Sequence, residues 1–212
     1  MYGKAAALVL GIAIIALALL LIIQNTLQSQ YQHKLNLGEE TLFTIQPGES
    51  LRKVCRRFEQ QGWFNHCGSI KVLAKFKPEL TKIKSGTYLL QKELTFEQAL
   101  HRFINGKEHQ FSFTIIEGEN IYQIIDKIKS TSSIVNDLPE RAKLAQYFGL
   151  EFDSLEGWLA PDTYFYTNNI AATKLFGRAL KKQQQLLDNT WQQRSLSIPI
   201  NSPYELLIIA SI

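Results

Sequence analysis

The chain has 212 residues, a net charge of +4, 45% hydrophobic and 20% charged side chains. That is ordinary globular composition, so a disordered or low-complexity protein is excluded, and basicity this mild without an arginine-rich run argues against a nucleic-acid partner. The outlier is the start. Residues 5–23, AAALVLGIAIIALALLLII, hold no charge, and at about 1.5 Å per helical residue they reach most of the way across a roughly 30 Å hydrocarbon core. The expectation is a single uncleaved membrane-spanning helix, because QNTLQSQYQ after Ile23 offers no small-residue cleavage site. Lys4 precedes the run and Lys34 is the next basic residue. The positive-inside rule then puts the start in the cytoplasm and everything beyond Gln24 outside. Residues 24–40 are polar, without apolar period, and read as a tether.

An internal repeat follows. Phe43-Thr44-Ile45-Gln46-Pro47-Gly48-Glu49-Ser50-Leu51 recurs seventy positions on as Phe113-Thr114-Ile115-Ile116-Glu117-Gly118-Glu119-Asn120-Ile121, with Val54 and Phe58 matched by Ile124 and Ile128. Each copy reads as a strand, a turn at its glycine, a capping Ser50 or Asn120 and an amphipathic helix. In the first copy a helix from Ser50 to about Gln61 is followed by one from Ser69 to Phe76, which ends before Pro78, and by a strand GTYLL at 86–90. Thr95 and Gln98 form a capping box for a helix over 96–104, stopped at Asn105-Gly106. Cys55 in the first helix and Cys67 beyond it fit either a bridge or two thiols on the oxidising side of a membrane. Cys55, His66 and Cys67 lack zinc-finger spacing, so no metal and no cofactor is expected. The PGESL opening and the β-α-α-β order resemble a LysM module, which implies binding of N-acetylglucosamine-containing glycans.

Past the second copy, residues 130–136 form a polar loop, and Asp137 caps an expected helix over 138–147 that ends at Gly149. Residues 155–167, LEGWLAPDTYFYT, then crowd two carboxylates, four aromatics, a glycine and a proline together. Residues 163–166 read as a strand with Tyr164 and Tyr166 on one face and Phe165 on the other. Rings that lie on pyranose faces beside carboxylates that accept from hydroxyls make Glu156, Trp158, Asp162 and Tyr164 the candidate substrate-binding residues; an aromatic core strand beside a turn is the plainer reading. A long helix over 171–191 points Leu175, Phe176, Ala179, Leu180, Leu186 and Leu187 inward and Lys174, Arg178, Lys181 and Lys182 outward. Finally Ser202-Pro203-Tyr204-Glu205 opens a helix whose LLIIASI is apolar all round and predicted buried.

LEGWLAPDTYFYT is similar to the EGxxxPDTY signature of the endolytic murein transglycosylases, the MltG or YceG-like family. The resemblance implies a membrane-anchored lyase of the inner membrane that cuts peptidoglycan glycan strands, with peptidoglycan synthases as partners. It also implies an α+β protein: membrane helix, linker, LysM-like module over 41–108, and the start of a mixed α/β catalytic domain over 109–212. The family's catalytic motif reads like ASIIEKE, and Ala210-Ser211-Ile212 matches its first three letters. The proton-transferring glutamate is therefore expected about two positions beyond Ile212, and no catalytic residue is expected within the chain. The competing reading is a non-catalytic LysM-like glycan-binding or scaffold protein, and a hydrolase pair of Glu156 and Asp162 is a third.

Overall fold

The computed structural model describes residues 2–195 and 197–210, apart from the side chains of residues 2–9, 23, 27 and 30. Helix α1, Tyr2–Tyr31, carries the long apolar run. The part of the expected span at residues 5–9 lies outside the described side chains, and the large apolar side chains from Leu10 to Ile22 stand exposed. Among the described residues no helix is long and apolar enough to cross a membrane. The expected tether is corrected. Residues 24–31 continue α1, and Tyr31, Leu35 and Leu37 are buried in the core. Leu35 N–H donates to the Leu94 carbonyl and Asn36 N–H to that of Trp63, so this stretch is stitched down rather than free.

The chain is α+β and divides into two compact units, Met1–His109 and Gln110–Ile212. Unit 1 holds β1 (Thr41–Ile45), α2 (Leu51–Gln60), α3 (Ile70–Phe76), β2 (Gly86–Leu90) and α4 (Phe96–Asn105). β1 and β2 pair antiparallel with Phe43 opposite Tyr88. Alternation along both strands turns Phe43, Ile45, Tyr88 and Leu90 to one side. There they meet Phe58 of α2 and Phe103 of α4, with Phe43–Phe58 centroids 4.8 Å apart edge to face. The Ser50 hydroxyl accepts from Lys53 N–H to start α2, and Thr95 and Gln98 close the capping box of α4. Cys55 and Cys67 are joined, Cα to Cα 5.7 Å, tying α2 to the turn before α3 and deciding between the two cysteine readings.

Unit 2 holds β3 (Phe111–Ile115), α5 (Ile121–Ser130), β4 (Ile134–Val135), α6 (Arg141–Tyr147), β5 (Asp162–Tyr166), β6 (Ile170–Ala171), α7 (Ala172–Gln193) and α8 (Pro203–Ala210). β3 pairs antiparallel with β5, and the short β4 parallel with β6. Tyr164 and Tyr166 face inward and Phe165 outward, as the alternation predicts. Their partners are Phe113, Ile121, Ile128, Leu175 and Phe176.

The repeat runs deeper than its first half. Thr44 and Thr87 share a hydroxyl hydrogen bond of 2.9 Å across β1–β2, and Thr114 and Thr163 share one of 2.9 Å across β3–β5. Arg57 donates to the Thr44 carbonyl and to Glu49, while Lys127 donates to the Thr114 carbonyl and to Glu119. Arg102 then reaches back to the Leu89 carbonyl and Arg178 to that of Phe165. So β2–α4 corresponds to β5–α7, seventy-six positions apart, with Thr87-Tyr88 matched by Thr163-Tyr164.

Three local expectations are revised. The helix expected over 138–147 begins only at Arg141, because Asp137 caps another element: its carboxylate accepts from the Thr173 amide at 2.9 Å and hydroxyl at 2.6 Å at the start of α7. Leu186 is exposed, although Leu187 beside it is buried. α8 has no buried residue, so the expectation of an all-round buried helix fails; Leu206 and Leu207 pack at the edge of the core while Ile208 and Ile209 stay exposed. Ser211 and Ile212 lie outside the described residues.

Candidate functional site

The loop between α6 and β5 brings the candidate residues to one end of unit 2, but in different roles. Gly157 has φ +77°, which lets the backbone double back before Trp158, and a Cβ there would lie 3.7 Å from Leu207 of α8. Glu156 is exposed, and its Oε2 accepts from Ile121 N–H at 3.0 Å, so the carboxylate caps the first turn of α5. Trp158 is buried. Its indole stacks with Phe152 at 5.4 Å and lies nearly parallel to the Tyr204 ring at 5.8 Å, and Phe152 and Tyr204 stack at 4.1 Å. Trp158 Nε1 is buried with no hydrogen-bond partner among the described residues.

Tyr164 is also covered, and its hydroxyl donates to the Ala160 carbonyl at 2.7 Å. Burial and then the nearby Asp162 charge push its phenol up to about 12, so it stays a neutral donor. Asp162 starts β5 and is half exposed. An ion pair and hydrogen bond with Lys182 of α7, then the Thr163 N–H at 2.7 Å, hold its carboxyl below the usual carboxylate range. A carboxylate held ionised in this way accepts hydrogen bonds and does not serve as a proton donor near neutral pH.

Of the four candidates, the expectation that Trp158 and Tyr164 offer ring faces to a sugar is therefore corrected: both rings are packed into the core, where the plainer reading put them. Glu156 and Asp162 keep carboxylate edges toward solvent but are anchored by α5 and Lys182. Three residues of this end carry no sign in the sequence that they belong to it: Phe152, Lys182, which reads only as an outward base of the long helix, and Tyr204, which reads only as part of a helix start. Phe152 lies in the loop itself, six residues before Trp158, whereas Lys182 and Tyr204 become neighbours only because α7 and α8 return past the loop. Unit 1 carries a separate open groove of about 630 Å³ lined by Gln91, Gln98, His101, Arg102, Asn105 and Lys107 among others. Such amides and cations hydrogen-bond readily to hydroxyls and carboxylates.

The model of the YceG-like family matches residues 43–212. The chain belongs to the YceG-like family. The family match opens at Phe43, the first residue of the first repeat and the third of β1, and so takes in the strands and helices of both units from β1 onward, with α1 before it. Among solved structures, a YceG-like protein of Listeria monocytogenes aligns with a TM-score of 0.36 at 19% identity, covering 73% of this chain. The chain spans 57% of that relative's length. No curated protein matches the chain.

Proposed function

We propose that this YceG-like chain is part of a membrane-anchored endolytic lytic transglycosylase, which cuts between N-acetylmuramic acid and N-acetylglucosamine and leaves 1,6-anhydro ends. Membership of the YceG-like family over residues 43–212 carries the reading. One glutamic acid protonates the glycosidic oxygen, and its carboxylate then takes the proton of the muramyl C6 hydroxyl as that oxygen attacks the anomeric carbon. The nucleophile is already on the substrate, so no water enters and no second catalytic carboxylate is required. Asp162, ionised beside Lys182, and Glu156, which caps α5, are assigned to holding the site rather than to the proton transfer. The acid is assigned to the ASIIEKE-like motif that Ala210-Ser211-Ile212 begins. Unit 1, with two antiparallel strands around α2 and α3, fits a LysM-like glycan holder, and its polar groove is the proposed contact.

Anchoring is supported by residues 5–23, uncharged along their length, and by the exposed apolar side chains of α1 from Leu10 to Ile22. The Cys55–Cys67 bridge supports an oxidising compartment for unit 1. The test is product analysis from purified sacculi. Protein continued through an ASIIEKE-like motif is expected to release anhydromuropeptides, and the chain ending at Ile212 to release none. Changing the first glutamate of that motif to glutamine is expected to abolish release, because an amide has no proton to give at a useful pKa. Anhydro products from the 212-residue chain that vanish on Glu156→Gln would move the catalytic role to Glu156.

A further inference from the structure

α3 is the part of unit 1 that packs beside the far end of the apolar run. An open groove of about 650 Å³ is lined by Leu21, Gln24 and Gln28 of α1 together with Leu73, Phe76 and Lys77. Leu21 belongs to residues 5–23, so the groove places α3 level with the point where the chain passes from apolar to polar. On α3 itself Leu73 is turned inward, whereas Val72 and Phe76, one helical turn apart, are exposed. Beside them Lys71 and Lys75, likewise one turn apart, are exposed. Lys77 Nζ lies 5.2 Å from the Tyr31 ring centroid at the α1 side, and Lys82 and Lys84 follow, also exposed. Five lysines thus fall within residues 71–84 against a single acid, Glu79. Among the described ion pairs none involves any of the five.

We propose that the exposed face of α3, Val72 and Phe76 with Lys71 and Lys75, together with the half-buried Lys77 that follows it, docks on an anionic bilayer surface where α1 leaves it. An aromatic and a valine at the head of a lysine cluster match the acyl–headgroup boundary, where apolar groups dip in and ammonium groups meet lipid phosphates. A protein partner would call for a face less dominated by one charge sign. The proposal rests on the anchoring of α1 in the membrane. Its function is to hold unit 1 against the bilayer, which fixes the height above the membrane at which the glycan strand is met.

The experiment is hydrogen–deuterium exchange of the full chain in nanodiscs of phosphatidylglycerol or of phosphatidylcholine, followed by peptide over α1, α3 and β1. In anionic discs the amides of residues 70–77 are expected to exchange markedly more slowly than in zwitterionic discs. Each of Lys71→Gln and Lys75→Gln is expected to shrink that difference about fivefold, and Phe76→Ser to reduce the protection in both lipids. β1 exchange unchanged in these variants reports an intact unit 1. If α1 is protected in both discs while residues 70–77 exchange alike in both, the docking proposal fails and anchoring stands. If the amides of residues 5–23 exchange as in a solvated helix, anchoring fails and the docking proposal with it.

Discussion

Unit 1 and unit 2 build the same two strand–helix pairs but fasten them differently, and they differ in what each inserts between the pairs. In unit 1 the lock is Arg57 on Glu49, whose carboxylate is 1% exposed, with the guanidinium over the Phe43 ring at 4.2 Å. In unit 2 it is Lys127 on the more accessible Glu119, with Lys127 Nζ 5.4 Å from the Phe113 ring. The segment between pairs is a disulfide-tied α3 in unit 1. In unit 2 it is α6 and the loop with Glu156, Gly157 and Trp158, which ends under α8. A common scaffold therefore fixes the strands, and the inserts are where the two units part.

The largest difference is expected from core truncation at matched positions. Phe58 is wholly buried among Phe43, Trp63, Phe96 and Phe103, so Phe58→Ala is expected to destabilise unit 1 by about 4 kcal/mol, and Ile128→Ala to destabilise unit 2 by about 3 kcal/mol. Urea titration followed by unit-resolved hydrogen exchange measures both, and loss of protection in both units from either variant would break the division into units. Removing the bridge with Cys55→Ala and Cys67→Ala, which spans a separation of 12, is expected to cost about 3 kcal/mol in unit 1 and to leave unit 2 protection unchanged.

Next in size are the locks. Arg57→Ala strands the buried Glu49 carboxylate and is expected to cost about 3 kcal/mol, whereas Lys127→Ala is expected to cost about 1 kcal/mol or less. Equal losses would mean that the two locks are equivalent. The smallest effect is the response to acid. Glu119 is held below its ordinary pKa by Lys127 and then by the Ile116 N–H, and Asp162 by Lys182 and Thr163. At Asp137 burial works the other way, but the Thr173 hydroxyl and amide outweigh it and lower the pKa. A depressed carboxylate contributes stability that is full above its unfolded pKa, about 4, and is lost as pH falls through the folded value. Unit 2 is therefore expected to weaken more than unit 1 below about pH 4, and Asp137→Asn to flatten that dependence in an acid-unfolding series.

Much of this comparison was legible in the chain, and the part that was not has physical reasons. The first strand–turn–helix of each unit repeats at a constant offset, with Gly48 and Gly118 at positive φ and Ser50 and Asn120 as caps, so pattern alone found it. The second pair, GTYLL with DTYFY, escaped because the inserts differ in length and shift the offset from seventy to seventy-six. Tyr31, Leu35 and Leu37 read as a tether, since three apolar residues without period give no sign that they are buried. At the candidate site the residue types of LEGWLAPDTYFYT point to sugar chemistry, yet burial of Trp158 and Tyr164 depends on Tyr204 and α7, which only the tertiary fold brings near. Position alone makes Asp137 the cap of the helix next to it, whereas its partner Thr173 lies thirty-six positions away.

The most direct test of the account asks which oxygen attacks the anomeric carbon when sacculi are cut. Digestion by the protein continued through an ASIIEKE-like motif, carried out in heavy-oxygen water and read by mass spectrometry, is predicted to give new 1,6-anhydro muramic ends free of label, because the C6 hydroxyl is the nucleophile. New reducing ends that carry the heavy oxygen would show that water attacks, and would contradict the transglycosylase reading.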